Sequence, residues 1–511
     1  MEIMFKQIWL LTDGKCQISY GKIENNKSIL SKPKTCKLKK HCFLSLLLIA
    51  SPWILLFITT SLIARHSVFE SVPCWSDELA YWHEVLSFSQ KGFNYGNYTI
   101  NEMLPTYLSF GTHGFGSVSV YALFGKVFGW KAYSMVIANA FFVSVAFFLL
   151  TILVKTSARN LLLILFFTLS YVPLILYSST SMTELLNVSI LIVYAGMLHV
   201  YFKRGGPKWL TILLVFCTAI SFIRIIYIIL FLPVLFKRKN EFKFDTRFWA
   251  YFVIWIAVSG LLFLLNNLFV SPYPDSFLSE LFNSTSFPDF VSNFATHFIQ
   301  NCGFFFNPMS ENGIQVLQRY FELFICLICL WKSDLIQSKF KKIVFDYFVV
   351  FLILFLFLLV NIAAYDVFDW RDYRVMAPVL FGCILYLILT EKKIIVYSSV
   401  VFTVIGIGIL LSSTTVVDSF NTGRYIQPVD NPVLSHLQYT AHPVSQFENM
   451  IVVQQFNTDV VLNIPAGIGI TCSAVLSDKL RSQYIYSEKK LKLSTYQLID
   501  SNETGYLYQK H

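Results

Sequence analysis

The stretch CWSDELAYWHE, residues 74–84, gathers three acids, a His, two Trp and a Tyr. Its adjacent carboxylates, Asp77 and Glu78, can do two kinds of chemistry. A carboxylate can take the proton of an incoming hydroxyl as general base, or it can ligate a hard cation. If the stretch is a short surface helix, Asp77, Tyr81 and Glu84 share one face, and Glu78 and Trp82 share the next. Tyr and Trp suit a headgroup depth, and an acid pair bracketed by aromatics at that depth is read as functional. Glu84 is read as a solvated loop acid.

Further chemistry-bearing residues lie along the chain. Glu184, in STSMTELLNVSIL, stands where a helix begins. The helix dipole alone accounts for an acid there, and a catalytic role requires the Asp77 loop to fold over it. His113 opens THGFGSVSVYALFGKVFGW, a second surface helix. It can orient a phosphate or the Asp77 carboxylate, or serve as a structural cap. Arg224 lies in an apolar stretch, SFIRIIY, where an unpaired charge is expensive and faces a cavity. Arg371 and Arg374, in DVFDWRDYRVMAP, are shaped for phosphate oxygens or for salt bridges with Asp366, Asp369 and Asp372. No GxGxxG or Walker A motif is present, so an activated donor would arrive through the membrane. The CxxC pair Cys326 and Cys329 lies in an apolar run without a second Cys pair or a nearby His, and is read as packing.

These residues need a membrane scaffold. Of 511 residues 55% are hydrophobic, 50 are Phe and only 14% are charged, with a mean hydropathy of +0.59. That balance points to an all-α polytopic membrane protein. The net charge of +10 sits in short loops between apolar runs, a topology signal, and no nucleic-acid partner is expected. About eleven runs are long enough to span: 43–63, 132–154, 160–177, 185–202, 209–222, 225–236, 248–270, 315–331, 343–364, 374–390 and 394–413. Residues 209–236 are read as two short helices meeting at Arg224.

This count puts every basic loop inside, with a cytoplasmic tail at 1–41 that carries nine Lys and is no signal peptide. The transmembrane domain runs from 42 to 413 and includes a first outer loop at 64–131. A further outer loop is expected at about 271–313, and a small outer α+β or β-rich domain at 414–511.

In order and spacing, WSDELAYW, THGFGSVSVYALFGKVFGW, SMTE and Arg224 resemble the GT-C class of membrane glycosyltransferases. Its relatives include protein O-mannosyltransferases and the aminoarabinose transferase of lipid A. The resemblance covers roughly 43–413 and is strongest over 74–130 and 177–190. It implies a GT-C-like fold, a polyprenyl-phosphate sugar donor and a lipid, glycan or protein acceptor. A multi-pass location in a bacterial inner (plasma) membrane, among membrane lipids, is also implied. Asp77 matches the catalytic acid, Glu78 its neighbour and, more loosely, Glu184 a second acid. His113, Arg224, Arg371, Arg374 and Tyr81 are the candidate substrate contacts, with Mg²⁺ or Mn²⁺ as an optional cofactor. The implied reaction is an inverting single displacement. Polysaccharide polymerases or ligases, flippases and transporters are the rival classes.

Overall fold

The computed structural model describes residues 34–92, 95–105, 110–235, 246–272, 284–306, 313–333, 344–364, 373–412 and 420–511. Helix α1 (Lys34–Phe57) ends in a π-helical turn, Ile58–Ile63. There the Thr59 and Thr60 hydroxyls bond back to carbonyls of the preceding turn, which loosens helical hydrogen bonding locally. The first long loop then forms α2 (Ser76–Lys91), β1 (Tyr98–Ile100) and α3 (Phe115–Phe128). The apolar runs follow as α4 (Ser134–Leu153), α5 (Ala158–Ser170), α6 (Val172–Tyr177), α7 (Glu184–Arg204), α8 (Pro207–Ile223), α9 (Phe231–Leu235) and α10 (Thr246–Phe269). After them come α11 (Phe287–Phe306), α12 (Gly313–Lys332), α13 (Phe345–Ala364), α14 (Tyr373–Leu389) and α15 (Lys393–Ser412).

Helix α7 is the hub. It is buried along nearly all its length and packs between α4 and α14. Among the described residues five helices are long and apolar enough to cross a membrane: His41–Ile63, Ser134–Leu153, Glu184–Arg204, Trp249–Phe269 and Phe345–Ala363. Six shorter apolar helices accompany them, including Phe115–Phe128, Pro207–Ile223 and Arg374–Leu389. The eleven apolar runs read from the sequence are mainly helical where they are described. One of them, 160–177, is broken into α5 and α6 beside Pro173. The stretch expected as a plain loop at 271–313 contains α11, which buries His297, Asn301 and Phe305 and packs on α13.

The C-terminal residues build β2 (Met450–Val453), α16 (Thr458–Val461), β3 (Gly469–Cys472), β4 (Tyr484–Ser487), β5 (Tyr496–Asn502) and β6 (Gly505–Lys510). With β1 these five strands form one six-stranded sheet in the order β1-β3-β2-β4-β6-β5. The first four strands are parallel and the last two antiparallel. The segment DVVLNIPAGIGI begins as the α16 turn and becomes a strand only at Gly469.

Strand β1 belongs to the first loop, with Tyr98 opposite Ile470 and Ile100 opposite Cys472. This domain is therefore sewn to the first loop. Leu79 of α2 lies in its apolar core with Ile451, Ile468 and Ile470. His83 Nε2 lies 2.7 Å from the Ile468 carbonyl oxygen. Burial pushes the His83 imidazole down to about 4, so it is neutral and donates there. The Ser87 hydroxyl accepts from the Gly467 amide. The buried Glu102 carboxylate accepts from the amides of Arg481 and Ser482 and from the Ser482 hydroxyl.

Candidate active site

Asp77 and Glu78 occupy the first turn of α2, where the helix dipole favours negative charge. The helix is held rigidly from its other faces. Trp82 Nε1 donates to the Lys131 carbonyl and Trp130 Nε1 donates to the Trp82 carbonyl, a reciprocal lock between α2 and the end of α3. The turn before α7, residues 178–183, is wholly buried. Asn139 of α4 donates to the carbonyls of Thr180 and Met182, and the Tyr121 hydroxyl donates to Asn139. These bonds set Glu184, the first residue of α7.

Arg374, in the first turn of α14, completes the centre. Its Nη2 donates to Asp77 Oδ2 at 2.6 Å, and its Nε lies 3.7 Å from Glu184 Oε1. The Asp77 side chain is 29% exposed and the Glu184 side chain only 3%, so Asp77 is the acid an external reactant can reach. No hydrogen bond reaches either Glu184 oxygen from another described side chain. On the opposite side of Asp77, His113 Nε2 approaches Oδ1 to 3.8 Å. The His113 ring lies 4.4 Å, centroid to centroid, from Tyr81, one turn along α2 from Asp77.

Arg224 is half-buried. The helix α8 stops at Ile223, Arg224 takes an extended conformation, and a 3₁₀ helix, Ile225–Leu230, follows. The sequence expectation of two short helices with Arg224 at the junction matches this break. The Tyr227 hydroxyl donates to Asn187 of α7 at 2.8 Å, pinning the break beside Glu184. Gly116 of α3 permits the approach, since a Cβ there would lie 2.1 Å from the Phe222 carbonyl oxygen.

Burial opposes ionisation of Asp77, but the charges of His113, Arg374 and Arg224 and the Arg374 hydrogen bond outweigh it and hold its carboxyl below the ordinary value. His113 is held below its ordinary value by burial and by the two arginines, against the pull of Asp77. The charges of His113, Arg374 and Arg224 together favour the ionised form of Asp77. Burial, with Asp77 nearby, raises the Tyr81 phenol, which stays protonated.

Glu78 faces away from this group, into Arg424. Glu84, expected to be solvated, is buried. Its Oε1 accepts from the Tyr98 amide at 2.8 Å, and burial pushes the carboxyl up to about 8 against the backbone hydrogen bonds from Tyr98 and Gly111. A Cβ at Gly111 would sit 1.7 Å from Glu84 Oε1, so this Gly lets the His113 loop close over α2. Arg371 lies outside the described residues, as do Asp366, Asp369 and Asp372.

Among the described residues the donor set does not suit a resident divalent cation. Arg374 stands between the Asp77 and Glu184 carboxylates and occupies them with a cation. Among the described residues no three His, Cys, Asp or Glu side chains gather as ligands. Fixed positive charge here comes from the arginines.

The reading of the sequence did not single out Arg424, Asn139, Gly111 or Gly116. Arg424 sits in the ordinary polar segment NTGRYIQ. Only the doubled small residues of THGFGSVS hinted at close packing.

No family model matches the chain, and no curated protein matches it. Among solved structures it is similar to ArnT from Cupriavidus metallidurans, crystallised with undecaprenyl phosphate. The TM-score is 0.45 and the identity 10%, over 91% of this chain and 97% of that one. A likeness at this level assigns neither activity nor ligand to the present chain.

Proposed function

We propose that this chain is a GT-C-like membrane glycosyltransferase that moves a sugar from a polyprenyl-phosphate donor to a hydroxyl acceptor with inversion, Asp77 serving as general base. The observation that carries the reading is the arrangement around Asp77. A part-exposed carboxylate is paired with Arg374, feels the charge of Arg224, and is backed by the buried Glu184.

The acceptor oxygen attacks the anomeric carbon as its proton passes to an Asp77 oxygen. The bond from that carbon to the phosphate oxygen breaks, and its electron pair leaves on the lipid phosphate. Arg374 and Arg224 offset the charge that accumulates there, the kind of preorganised stabilisation that acts most strongly in a partly dry site. Arg374 has a second part. A carboxylate already bound to a guanidinium is a poor base. When the donor phosphate draws Arg374 away, Asp77 loses part of what offsets its burial, keeping only His113 and Arg224, and its affinity for a proton rises. Donor binding thereby arms the base. His113 and Tyr81 form an aromatic wall suited to a sugar face, Glu184 keeps Arg374 from swinging clear of the site, and Arg371 is a further phosphate contact. Glu78 has no oxygen open to a substrate, which favours a supporting role for it.

The test is transfer of a labelled sugar from a polyprenyl-phosphate donor by purified protein in lipid. Product with inverted anomeric configuration, absent with Asp77→Asn, supports the assignment. Transfer of equal rate in Asp77→Asn removes it.

A further inference from the structure

Glu78 is enclosed by polar partners. Its Oε2 accepts from the amides of Cys74 at 2.8 Å and Trp75 at 3.2 Å. Its Oε1 accepts from the Ser181 amide at 2.9 Å. Arg424 Nη1 donates to both oxygens, at 2.9 and 3.1 Å. Both side chains are 0% exposed. Arg424 in turn donates through Nε to the Phe420 carbonyl, accepts at its own carbonyl from the Val72 amide, and lies 5.2 Å over the Trp75 ring.

Four segments meet at this one ion pair: residues 72–75, the first turn of α2, the turn that ends on Glu184, and residues 420–424 leading to the C-terminal sheet. Glu78 is the neighbour of Asp77, and Ser181 is three residues before Glu184. A fully buried ion pair is poor value as a source of stability, because desolvation offsets its attraction. What it supplies here is register. Arg424 Nη1 holds both Glu78 oxygens while Glu78 Oε1 also takes the Ser181 amide, so the pair fixes α2 against the Glu184 turn and with it the two carboxylates that hold Arg374.

We infer that Arg424 and Glu78 form a positioning pair that sets Asp77 against Glu184, so that the C-terminal domain is an obligatory part of the active centre. The effect on turnover rests on the function proposed above; the positioning itself does not.

Two measurements separate them. In the first, hydrogen exchange of the full-length protein in lipid nanodiscs is followed in peptides covering 72–79 and 178–184. Arg424→Met should speed exchange in both while strands β2 and β4 keep their protection. Unchanged exchange in those peptides, or loss of protection across the whole sheet, overturns the positioning role.

In the second, sugar transfer is followed in the double variant Glu78→Gln/Arg424→Met, which leaves no uncompensated charge and keeps an acceptor for the Ser181 amide. Displacement of reacting groups by about 1 Å costs on the order of 10²-fold. The expected result is a fall of that size in kcat, with KM for the donor unchanged and a thermal midpoint close to that of the parent. Arg424→Lys should recover part of the loss. Parental kcat in the double variant overturns the inference. So does a fall in kcat matched by a fall in midpoint that Arg424→Lys does not relieve. Faster exchange in Arg424→Met, together with no transfer by the parent protein, would retain the positioning pair and remove the transferase assignment.

Discussion

Asp77 and Arg374 are 297 positions apart in the chain, and their side chains meet at 2.6 Å. Arg374 stands in the first turn of α14, where the helix dipole disfavours a cation. The anions at Asp77 and Glu184 offset that cost. The guanidinium is thus held between two carboxylates at a helix end that would not otherwise favour it.

Removing this cation should slow the reaction and change its pH dependence together. Arg374→Met is expected to lower kcat by about 10²–10³-fold, the usual cost of losing one charge-stabilising donor. Arg374→Lys keeps the charge without the fork and should fall between. The acid limb of kcat/KM reports the free enzyme, so it should lie below the ordinary carboxylate range in the parent, because the Asp77 carboxyl is lowered. It should move upward in Arg374→Met. Steady-state rates across pH 3 to 8, the ~5-unit span needed to cover an ordinary and a shifted carboxylate, check both points.

Asp77→Asn retains shape and removes the base. A loss of about 10²–10⁴-fold is expected, with membrane insertion and thermal midpoint preserved. Glu184→Gln should cost less, since Glu184 reaches Arg374 at 3.7 Å and is nearly closed to solvent. Equal losses for the two would mean that Glu184 also handles a proton.

Glu84 makes a stability prediction with a definite sign. Its carboxyl rises from 4.5 to about 8 on burial. Between those values the folded protein holds a proton that the unfolded chain has released, so stability falls as pH rises through that window and flattens above it. Thermal midpoints in detergent should therefore drop from pH 5 to pH 8 in the parent, a window of about 3 units within that range. Glu84→Gln should show a shallower slope. A parental slope in Glu84→Gln would place the proton elsewhere.

Gly116→Ala tests how Arg224 is delivered. The added methyl would stand 2.1 Å from the Phe222 carbonyl oxygen, forcing α3 away from the α8 break. A loss of about 1–3 kcal/mol is expected from overpacking, seen as a lower thermal midpoint. KM for the donor should rise several-fold as Arg224 withdraws. A changed midpoint with unchanged KM would separate Arg224 from donor binding.

Topology is open to direct measurement. Reporters fused after Lys208 and after His511 should lie on opposite faces of the membrane, because every basic loop then falls on the cytoplasmic side. Matching signals at both positions would rule out this arrangement.

Much of the scaffold was legible in the chain because its signals are local. Apolar runs of spanning length become helices, since backbone groups in an apolar surrounding must bond within their own segment. The break at Arg224 was readable for the same reason, as a charge that neither neighbouring helix can bury alone. Asp77, Glu184, His113 and Tyr81 could be named as candidates from residue type and neighbours.

What no local signal carries is which partner each takes. Asp77 and Glu78 are adjacent and chemically alike, yet the 100° rotation per helical residue turns one toward Arg374 and the other toward Arg424. Glu84 has the composition of a surface acid and is buried only because β1 and the Gly111 loop fold over it. The first loop and the C-terminal residues pair as β1 and β3 across more than three hundred intervening positions. Strand pairing is made through backbone groups common to nearly all residues, so no single residue marks which distant strands will meet. That pairing and the Arg424–Glu78 contact come from the tertiary fold alone, and they decide that the C-terminal domain belongs to the site.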